Sequence, residues 1–274
     1  MIKSCELFEG KLQKIHTGIE FGSIHPKLET FQAQTLRILE TTGKQIFVAQ
    51  KLQMKPNVIL LDESNLEAGL SMQNGEMQAT NGFFRPIEGA DGIVFDLNSK
   101  WAQNAAFGVM NADSTIGTML TPDYKGALLH CGLNCVDPLD KTQSNNIKNA
   151  IDLLKSVSSA DVSEFMIHIG DGVNKCHYGF NDPRYEEANK ARHIHIAHTY
   201  GQNAVGTVLD GPRKGGYAFS IQEIVRVSAL QNGLREDNVI VDTTCTACSS
   251  DFSFSHTLRP GNPLDRGLTT IYTK

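Results

Sequence analysis

The amino-acid sequence predicts a single α+β domain in which mixed β-sheets are flanked by helices. Its 274 residues are 40% apolar and 20% charged, a composition typical of a folded globular protein. Short apolar runs rich in β-branched residues precede the first long central helix, unlike the regular strand–helix alternation of a doubly wound sheet. No linker-like Pro-, Gly- or Ser-rich stretch divides the chain.

The first predicted element is a helix over residues 28–42. Phe31, Ile38 and Leu39 recur at helical spacing, and Gly43 suits the position just past a helix end. We therefore treat residues 1–44 as an N-terminal segment whose helix packs on a domain of residues 45–274. Short apolar runs bounded by turn residues then predict six strands: Ile46–Ala49, Val58–Leu61, Gly92–Phe95, Phe107–Met110, Thr115–Leu120 and Gly126–His130.

The clearest helical pattern covers residues 143–158, where aliphatic side chains share one face. A later helix begins at Ser220, which forms a capping box with Glu223, and it ends at Gly233. The remaining strands are predicted at Phe165–Ile169, Ala204–Leu209, Val239–Asp242 and Leu268–Tyr272.

A polar segment carries three histidines, His193, His195 and His198. The alternation of the first two predicts that both imidazoles lie on one face of a strand. Two interpretations stay open, an ordinary solvated strand edge and a metal or phosphate site.

The charge balance and the apolar pattern exclude several classes of partner. Lys and Arg total 25 against 30 Asp and Glu, a formal net charge of −5, and no window concentrates basic residues. Phosphate backbones are therefore not attracted, and we expect no nucleic-acid partner. No apolar run approaches the roughly 20 residues that cross a bilayer, so we expect no membrane association. Six cysteines without an apolar leader predict reduced thiols in a cytoplasmic protein, a monomer or homodimer.

Four segments, in order, carry the motifs of one protein family. They are A-D-S-T-I-G at 112–117, H-C-G-L-N-C at 130–135, G-D-G-V-N-K-C-H-Y at 170–178, and Cys245-Thr246 followed by F-S-F-S-H at 252–256, Arg259 and Asp265-Arg266. Their order and spacing resemble the laccase-domain proteins, also called the polyphenol oxidase or peptidoglycan-editing-factor family. The resemblance implies that family's fold and a purine-nucleoside chemistry, phosphorolysis or hydrolytic deamination, on a small-molecule substrate.

The resemblance also implies a metal site, from which this sequence departs. In the family a His, the Cys of A-D-C and the His of H-A-G hold zinc or copper around a reactive water. The matching positions here are Lys55, Ser114 and His130. Lysine ligates only after losing a proton with a reference pKa of about 10.4, and serine is a poor substitute for thiolate. We therefore expect His130 to be the one remaining ligand. Zinc or copper could still bind there weakly, but a metal-free site is the favoured expectation.

The same resemblance implies the other site residues. His130 is the expected acid–base catalyst. Asn134 stands where the family has an arginine, which removes one candidate phosphate contact. The implied substrate-binding positions are Lys55, Ser114, Tyr178, Arg259 and Arg266.

A second chemistry is open, because cysteines accompany the histidines. Cys131 follows His130, and Cys176 with His177 occupies the family's paired-cysteine positions. A thiolate activated by an imidazole would suit a thiol hydrolase or deamidase, with these four residues as the catalytic candidates. Neighbouring residues on a strand face opposite ways, which favours pairing His130 with Cys176 rather than with Cys131.

Two further interpretations involve no catalysis. The pocket that holds the metal in the family could bind a ligand or a partner protein here without turnover, since Lys55 and Ser114 replace two of the family's metal ligands. Alternatively, Cys131 and Cys135 could join Cys245 and Cys248 in a four-thiolate zinc site, because the C-x2-C spacing of the second pair suits a zinc knuckle.

Overall fold

The computed structural model describes residues 2–17, 38–50, 57–62, 84–111, 113–248 and 267–273. The strands are β1 (Ile2–Leu7), β2 (Leu12–Thr17), β3 (Gln45–Gln50), β4 (Val58–Leu61), β5 (Phe84–Glu88), β6 (Gly92–Asp96), β7 (Ala105–Asn111), β8 (Thr115–Leu120), β9 (Lys125–Cys131), β10 (Met166–Ile169), β11 (Gly179–Phe180), β12 (Val205–Thr207), β13 (Tyr217–Phe219), β14 (Val239–Val241) and β15 (Gly267–Tyr272). The helices are α1 (Lys100–Gln103), α2 (Leu133–Val136), α3 (Asn146–Val157), α4 (Glu186–Tyr200) and α5 (Ile221–Gln231).

Two six-stranded mixed sheets organise the fold. The first sheet has the strand order β1-β2-β15-β7-β3-β5, and the second has the order β14-β10-β8-β9-β6-β4. Parallel pairs such as β3–β7 and β10–β14 stand among antiparallel ones such as β8–β9. A third, three-stranded sheet is formed by β11, β13 and β12. The predicted α+β architecture with mixed sheets is confirmed.

Apolar side chains from the two large sheets meet in a shared core. Phe95 of β6 and Phe107 of β7 stack with their ring centroids 3.8 Å apart. Phe47 of β3 joins this core, whereas its neighbour Val48 packs on the outer face of the first sheet against Ile38. Both faces of β3 are therefore covered, which explains its nearly continuous apolar run.

Helices α3 and α5 cover the other face of the second sheet. The side chain of Asn145 caps α3 by accepting a hydrogen bond from the Lys148 N–H, and Ser220 caps α5 through the Glu223 N–H. The described helices are all too short or too polar to cross a bilayer. Core residues that these helices and the sheet share are Ile147, Ile151, Leu154, Phe165, Ile167, Ile169, Ile224 and Val225.

The six strands predicted before α3 are all present, and so is the end of the first predicted helix. Residues 38–42 are helical, and Gly43 ends the helix with φ +68° and a hydrogen bond from its N–H to the Leu39 carbonyl. Residues 28–37 lie outside the described residues. The strands predicted at Ala204–Leu209 and Val239–Asp242 are shorter in the structure.

The β1–β2 hairpin was not predicted. It pairs Leu7 with Leu12 across a turn in which Phe8, Glu9 and Gly10 have positive φ values of 52°, 57° and 83°. Glu9-Gly10 stands where such a turn normally carries Asn-Gly or Asp-Gly, so its sequence signal is weak here. Strand β2 also pairs with β15, which brings the N-terminal hairpin into the first sheet.

The prediction of a strand around His193 and His195 is wrong, because these residues lie on helix α4. Only Ile196 and Tyr200 of this helix are buried. Two buried positions do not give the repeated apolar spacing by which a helix is recognised in a sequence. The two imidazoles point in different directions: His193 Nε2 lies 3.1 Å from the Gly206 carbonyl, and His195 Nε2 lies 3.1 Å from Asp137.

His168 of β10 is expected to make folding stability depend on pH. Its Nδ1 is buried and has no hydrogen-bond partner within the described residues. Burial, helped by the charge of Lys14, lowers the pKa of His168 to about 4 from an ordinary 6.5. Below pH 6.5 the His168 side chain therefore becomes protonated in the unfolded chain, whereas in the folded chain it stays neutral down to about pH 4.

As the pH is lowered from 6.5 to about 4, protonation of His168 in the unfolded chain should reduce the free energy of unfolding by up to about 1.4 kcal/mol per pH unit. Urea unfolding of the wild type and His168→Gln at several pH values measures the effect. An unchanged dependence in the variant would show that other groups carry it.

Candidate active site

The candidate active site is built where β9 ends beside the start of β6. The antiparallel register pairs Gly92 with Leu129, and the His130 N–H donates to the Asp91 carbonyl at 2.8 Å. Asp91 therefore lies directly across from His130, so both side chains project from the same face. The Asp91 carboxylate is 1% exposed, and its Oδ1 lies 3.6 Å from Nδ1 of the 19% exposed imidazole.

Cys135 completes this cluster of three side chains. The turn after β9 leads into the short helix α2, which folds the buried Cys135 thiol back to 3.7 Å from His130 Nδ1. Asp91, His130 and Cys135 together could hold a metal ion. We call them the His130 cluster.

His130 and Ser114 both approach the backbone of Gly132, which directly follows β9. An ideal Cβ placed on Gly132 would lie 3.0 Å from His130 Cε1, 3.6 Å from Nε2 and 3.4 Å from Ser114 Oγ. Glycine at position 132 therefore lets both side chains pack close to the backbone. Nδ1 lies next to the buried Asp91 carboxylate, whereas Nε2 lies on the side of the ring near Gly132.

Cys131 is not brought next to His130. Its thiol is fully buried in the core beneath the helices, and its Sγ lies 3.8 Å from the Leu129 carbonyl. Burial raises the pKa of Cys131 far above its ordinary value. Strand alternation thus separates this pair, and the protonated thiol is a poor nucleophile.

Cys176 lies in a different cluster, with His177, Cys245 and Cys248, which we call the Cys176 cluster. These four donors lie within 4.8 Å of one another and could hold a metal ion. Burial and the neighbouring thiols raise the pKa of Cys176 to about 12, so without a cation it stays protonated at neutral pH. The structure therefore assigns the pairs Cys131/Cys135 and Cys245/Cys248 to separate surroundings rather than to one four-thiolate site.

Tyr178 follows the Cys176 cluster and packs edge-on against Phe180, with ring centroids 5.8 Å apart. Burial raises the pKa of Tyr178 to about 12, opposed by Arg192 and Arg213. The phenol is therefore a neutral hydrogen-bond donor at physiological pH. Lys55, Arg259 and Arg266 lie outside the described residues.

An arginine from α4 reaches the position of the missing motif arginine. Arg192 donates from Nη1 to Asn134 Oδ1 at 2.8 Å and from Nη2 to the Asp137 carbonyl at 2.7 Å. Its Nε lies 3.4 Å from the buried Asp137 carboxylate, which also accepts from Lys141 at 3.0 Å. This network ties α4 to α2 and thereby supports the turn that carries Cys135.

Asp91, Arg192 and the Cys176 cluster were not predicted from the sequence as groups. Asp91 precedes an apolar strand within Gly89–Gly92, which looks like an ordinary turn. A polar cleft of about 420 Å³ between α4 and the third sheet was also not predicted. Glu186, Lys214 and His193 line it, and His193 is one of the histidines considered above for a metal or phosphate site, but none of the site residues implied by the family resemblance lines it.

Comparison with known proteins identifies the fold. Residues 43–272 match the family model described as multi-copper polyphenol oxidoreductase laccase. The chain belongs to this family. The match covers most of the chain and confirms the resemblance inferred from the four motif segments.

Three solved structures share the fold at low sequence identity. The hypothetical protein YfiH of Bacillus licheniformis superposes with a TM-score of 0.71 at 13% identity, covering 96% of this chain and 93% of that one. YlmD of Geobacillus stearothermophilus gives 0.70 at 16% identity, covering 96% and 92%. Neisseria meningitidis protein NMB0706 gives 0.64 at 13% identity, covering 100% and 99%. No curated protein matches the chain.

The His130 cluster does not fit the copper centre that the family description implies. Protein copper sites of the thiolate type use two imidazoles and one thiolate. The described part of this cluster offers one imidazole, one thiol and one carboxylate. We therefore consider the His130 imidazole and the Asp91 carboxylate as proton-transfer groups rather than as copper ligands.

Proposed function

We propose that this laccase-family protein is an enzyme that processes purine nucleosides by phosphorolysis or hydrolytic deamination, with His130 as its proton-transfer group. The reaction class follows from the family resemblance. The catalytic assignment rests on one observation, the buried Asp91 carboxylate 3.6 Å from Nδ1 of a partly exposed imidazole. A carboxylate behind an imidazole orients the ring and fixes which nitrogen carries the exchangeable proton.

In phosphorolysis, a phosphate oxygen bonds to C1′ of the ribose while the bond from C1′ to the purine nitrogen breaks. The bonding electrons leave with the base, which then needs a proton. His130 Nε2 supplies it as a general acid, and the Asp91 carboxylate stabilises the imidazole in the required orientation. In deamination, the same nitrogen takes a proton from the attacking water and returns it to the leaving ammonia.

The remaining groups are proposed to hold the substrate. Ser114, which approaches Gly132 together with His130, offers a hydroxyl to the sugar or phosphate. Tyr178 offers an aromatic face for the base and a neutral phenol as donor. Lys55, Arg259 and Arg266 would supply positive charge for phosphate. We propose a small-molecule substrate and a cytoplasmic monomer or homodimer.

The proposal is tested by incubating the protein with adenosine, inosine and methylthioadenosine, with and without inorganic phosphate. Released base is measured by chromatography and ammonia by a coupled assay. Phosphate-dependent base release indicates phosphorolysis, and ammonia release indicates deamination. His198→Ala is the matched control for His130→Ala, since His198 is an exposed histidine on α4.

Two results would contradict the proposal. Correctly folded protein that releases neither product would leave a ligand-binding or partner-binding role for the scaffold. Turnover that survives His130→Ala but is abolished by alkylation of Cys176 would instead favour the thiol hydrolase.

A further inference from the structure

We propose that Cys176, His177, Cys245 and Cys248 form a structural zinc site, separate from the His130 cluster. The ligands would be the three Sγ atoms and the Nδ1 of His177. This inference does not depend on the proposed nucleoside chemistry.

The sheet topology explains why these residues meet. Strands β10 and β14 are parallel neighbours, with Ile169 opposite Val241, so the segments that follow them leave the same edge of the sheet. They stay together: Gly172 forms a bridge with Cys245, and the Thr246 N–H donates to the Gly172 carbonyl at 3.0 Å. Ligands more than sixty residues apart in sequence are thereby placed side by side.

The separations between the donor atoms match a tetrahedral zinc ion. Zinc–sulfur bonds of about 2.3 Å and zinc–nitrogen bonds of about 2.0 Å place tetrahedral ligands roughly 3.8 Å apart for two sulfurs and roughly 3.5 Å apart for sulfur and nitrogen. Cys176 Sγ lies 3.5 Å from Cys245 Sγ and 3.7 Å from Cys248 Sγ. His177 Nδ1 lies 3.3, 3.9 and 3.6 Å from the sulfurs of Cys176, Cys245 and Cys248.

The donor set favours zinc and a structural role. Three thiolates and one imidazole are a common ligand set of closed structural zinc sites, and the C-x2-C spacing of Cys245 and Cys248 suits one half of such a site. Four protein ligands fill the tetrahedron and leave no position for a reactive water. The sulfur separations are also far longer than the roughly 2.05 Å of a disulfide bond.

Surrounding groups resemble those that support zinc ligands. The Asn174 N–H donates to Cys245 Sγ at 3.3 Å, an interaction that stabilises a thiolate. His177 Nε2, the nitrogen that would not bind zinc, lies 3.8 Å from Asp210 Oδ2. Metal-bound imidazoles generally donate their second N–H to such a carboxylate. The Leu209 and Asp210 N–H groups donate to the Cys176 carbonyl at 2.9 and 3.2 Å, which holds this loop in place.

The site would fasten the segment that carries Tyr178. Its core is small, consisting of Val173, Cys245 and Ala247 with Cys176 and Tyr178 packed against them. So few apolar contacts supply little stability by themselves, and a metal that joins both segments compensates for this. Zinc is therefore expected to order the approach to the proposed substrate pocket without taking part in catalysis.

The test is to purify the full-length protein under reducing conditions, load it with zinc, and measure bound metal and its ligands. We expect about one zinc ion per chain and an X-ray absorption spectrum that fits three sulfurs and one nitrogen. Cobalt substitution should give the intense visible bands of a tetrahedral thiolate site. Cys248→Ser, at the most exposed ligand, should lower zinc occupancy at least tenfold, whereas the matched variant Cys135→Ser in the His130 cluster should retain it.

Several outcomes would overturn the proposal. A zinc ligand set of one sulfur, one nitrogen and oxygen, lost in Cys135→Ser, would place the ion in the His130 cluster. Folded wild-type protein without zinc or cobalt binding would leave the four residues as a packing cluster. Rapid formation of a Cys176–Cys245 disulfide by dissolved oxygen once the reductant is removed, with no zinc bound, would make them a redox pair. The wild-type spectrum decides even if a variant fails to fold.

Discussion

Replacing His130 with alanine is expected to lower nucleoside turnover at least about 100-fold, the usual contribution of a positioned acid–base group. The variant removes the imidazole proposed to transfer the proton, while the buried Asp91 carboxylate stays in place. The loss should fall on kcat rather than KM, since proton transfer belongs to the transition state. Added imidazole should restore part of the rate by occupying the vacated space.

Asp91→Asn tests the positioning role of the carboxylate. Asparagine has nearly the same shape, so the fold should be kept while the orientation of the imidazole is lost. We expect a lower kcat with KM unchanged, and little additional loss in the double variant with His130→Ala, because the two residues act as one unit. Fully additive losses would show that Asp91 acts independently of His130.

Phe107→Ala is expected to lower the free energy of unfolding by about 3–5 kcal/mol. Phe107 is fully buried between the two large sheets, where its ring stacks on Phe95 and meets Trp101 edge-on with centroids 5.9 Å apart. Truncation leaves a cavity that strands held by ladders on both sides cannot close. Urea unfolding followed by circular dichroism measures the loss.

Leu139→Ala is the matched control for this prediction. The Leu139 side chain is 69% exposed, so its removal should change the free energy of unfolding by no more than about 0.5 kcal/mol. Phe107→Leu keeps most of the apolar volume and should lie between the two. Equal effects at the buried and exposed positions would mean that the inter-sheet core does not dominate stability.

The family and much of the local structure could be predicted from the sequence. Strands such as Thr115–Leu120 appear with the predicted bounds, because a short apolar run between turn residues has few alternatives. As predicted, a helix ends at Gly43 and another begins at Ser220. Both signals are local, because each residue satisfies or redirects backbone groups within one helical turn. Helix α4 and the β1–β2 hairpin were not predicted, because contacts from elsewhere in the chain stabilise them against weak local signals.

The candidate site divides in the same way. His130 was identified from its motif, and the alternation of strand residues correctly placed Cys131 on the opposite face. Asp91 could not be recognised, since its importance depends on the register between β6 and β9. The predicted pairing of His130 with Cys176 is wrong, because the two residues lie in separate clusters. The motifs do not encode which segments meet in the folded protein.

By itself, the sequence determined the α+β class and the family, because these depend on composition, periodicity and motif order. Only the tertiary structure decided which polar side chains share a site. Antiparallel register places a carboxylate behind His130, and the parallel pairing of β10 with β14 brings Cys176 and His177 to Cys245 and Cys248. Strand order and register arise from packing whole sheets together, and distance along the chain does not record them.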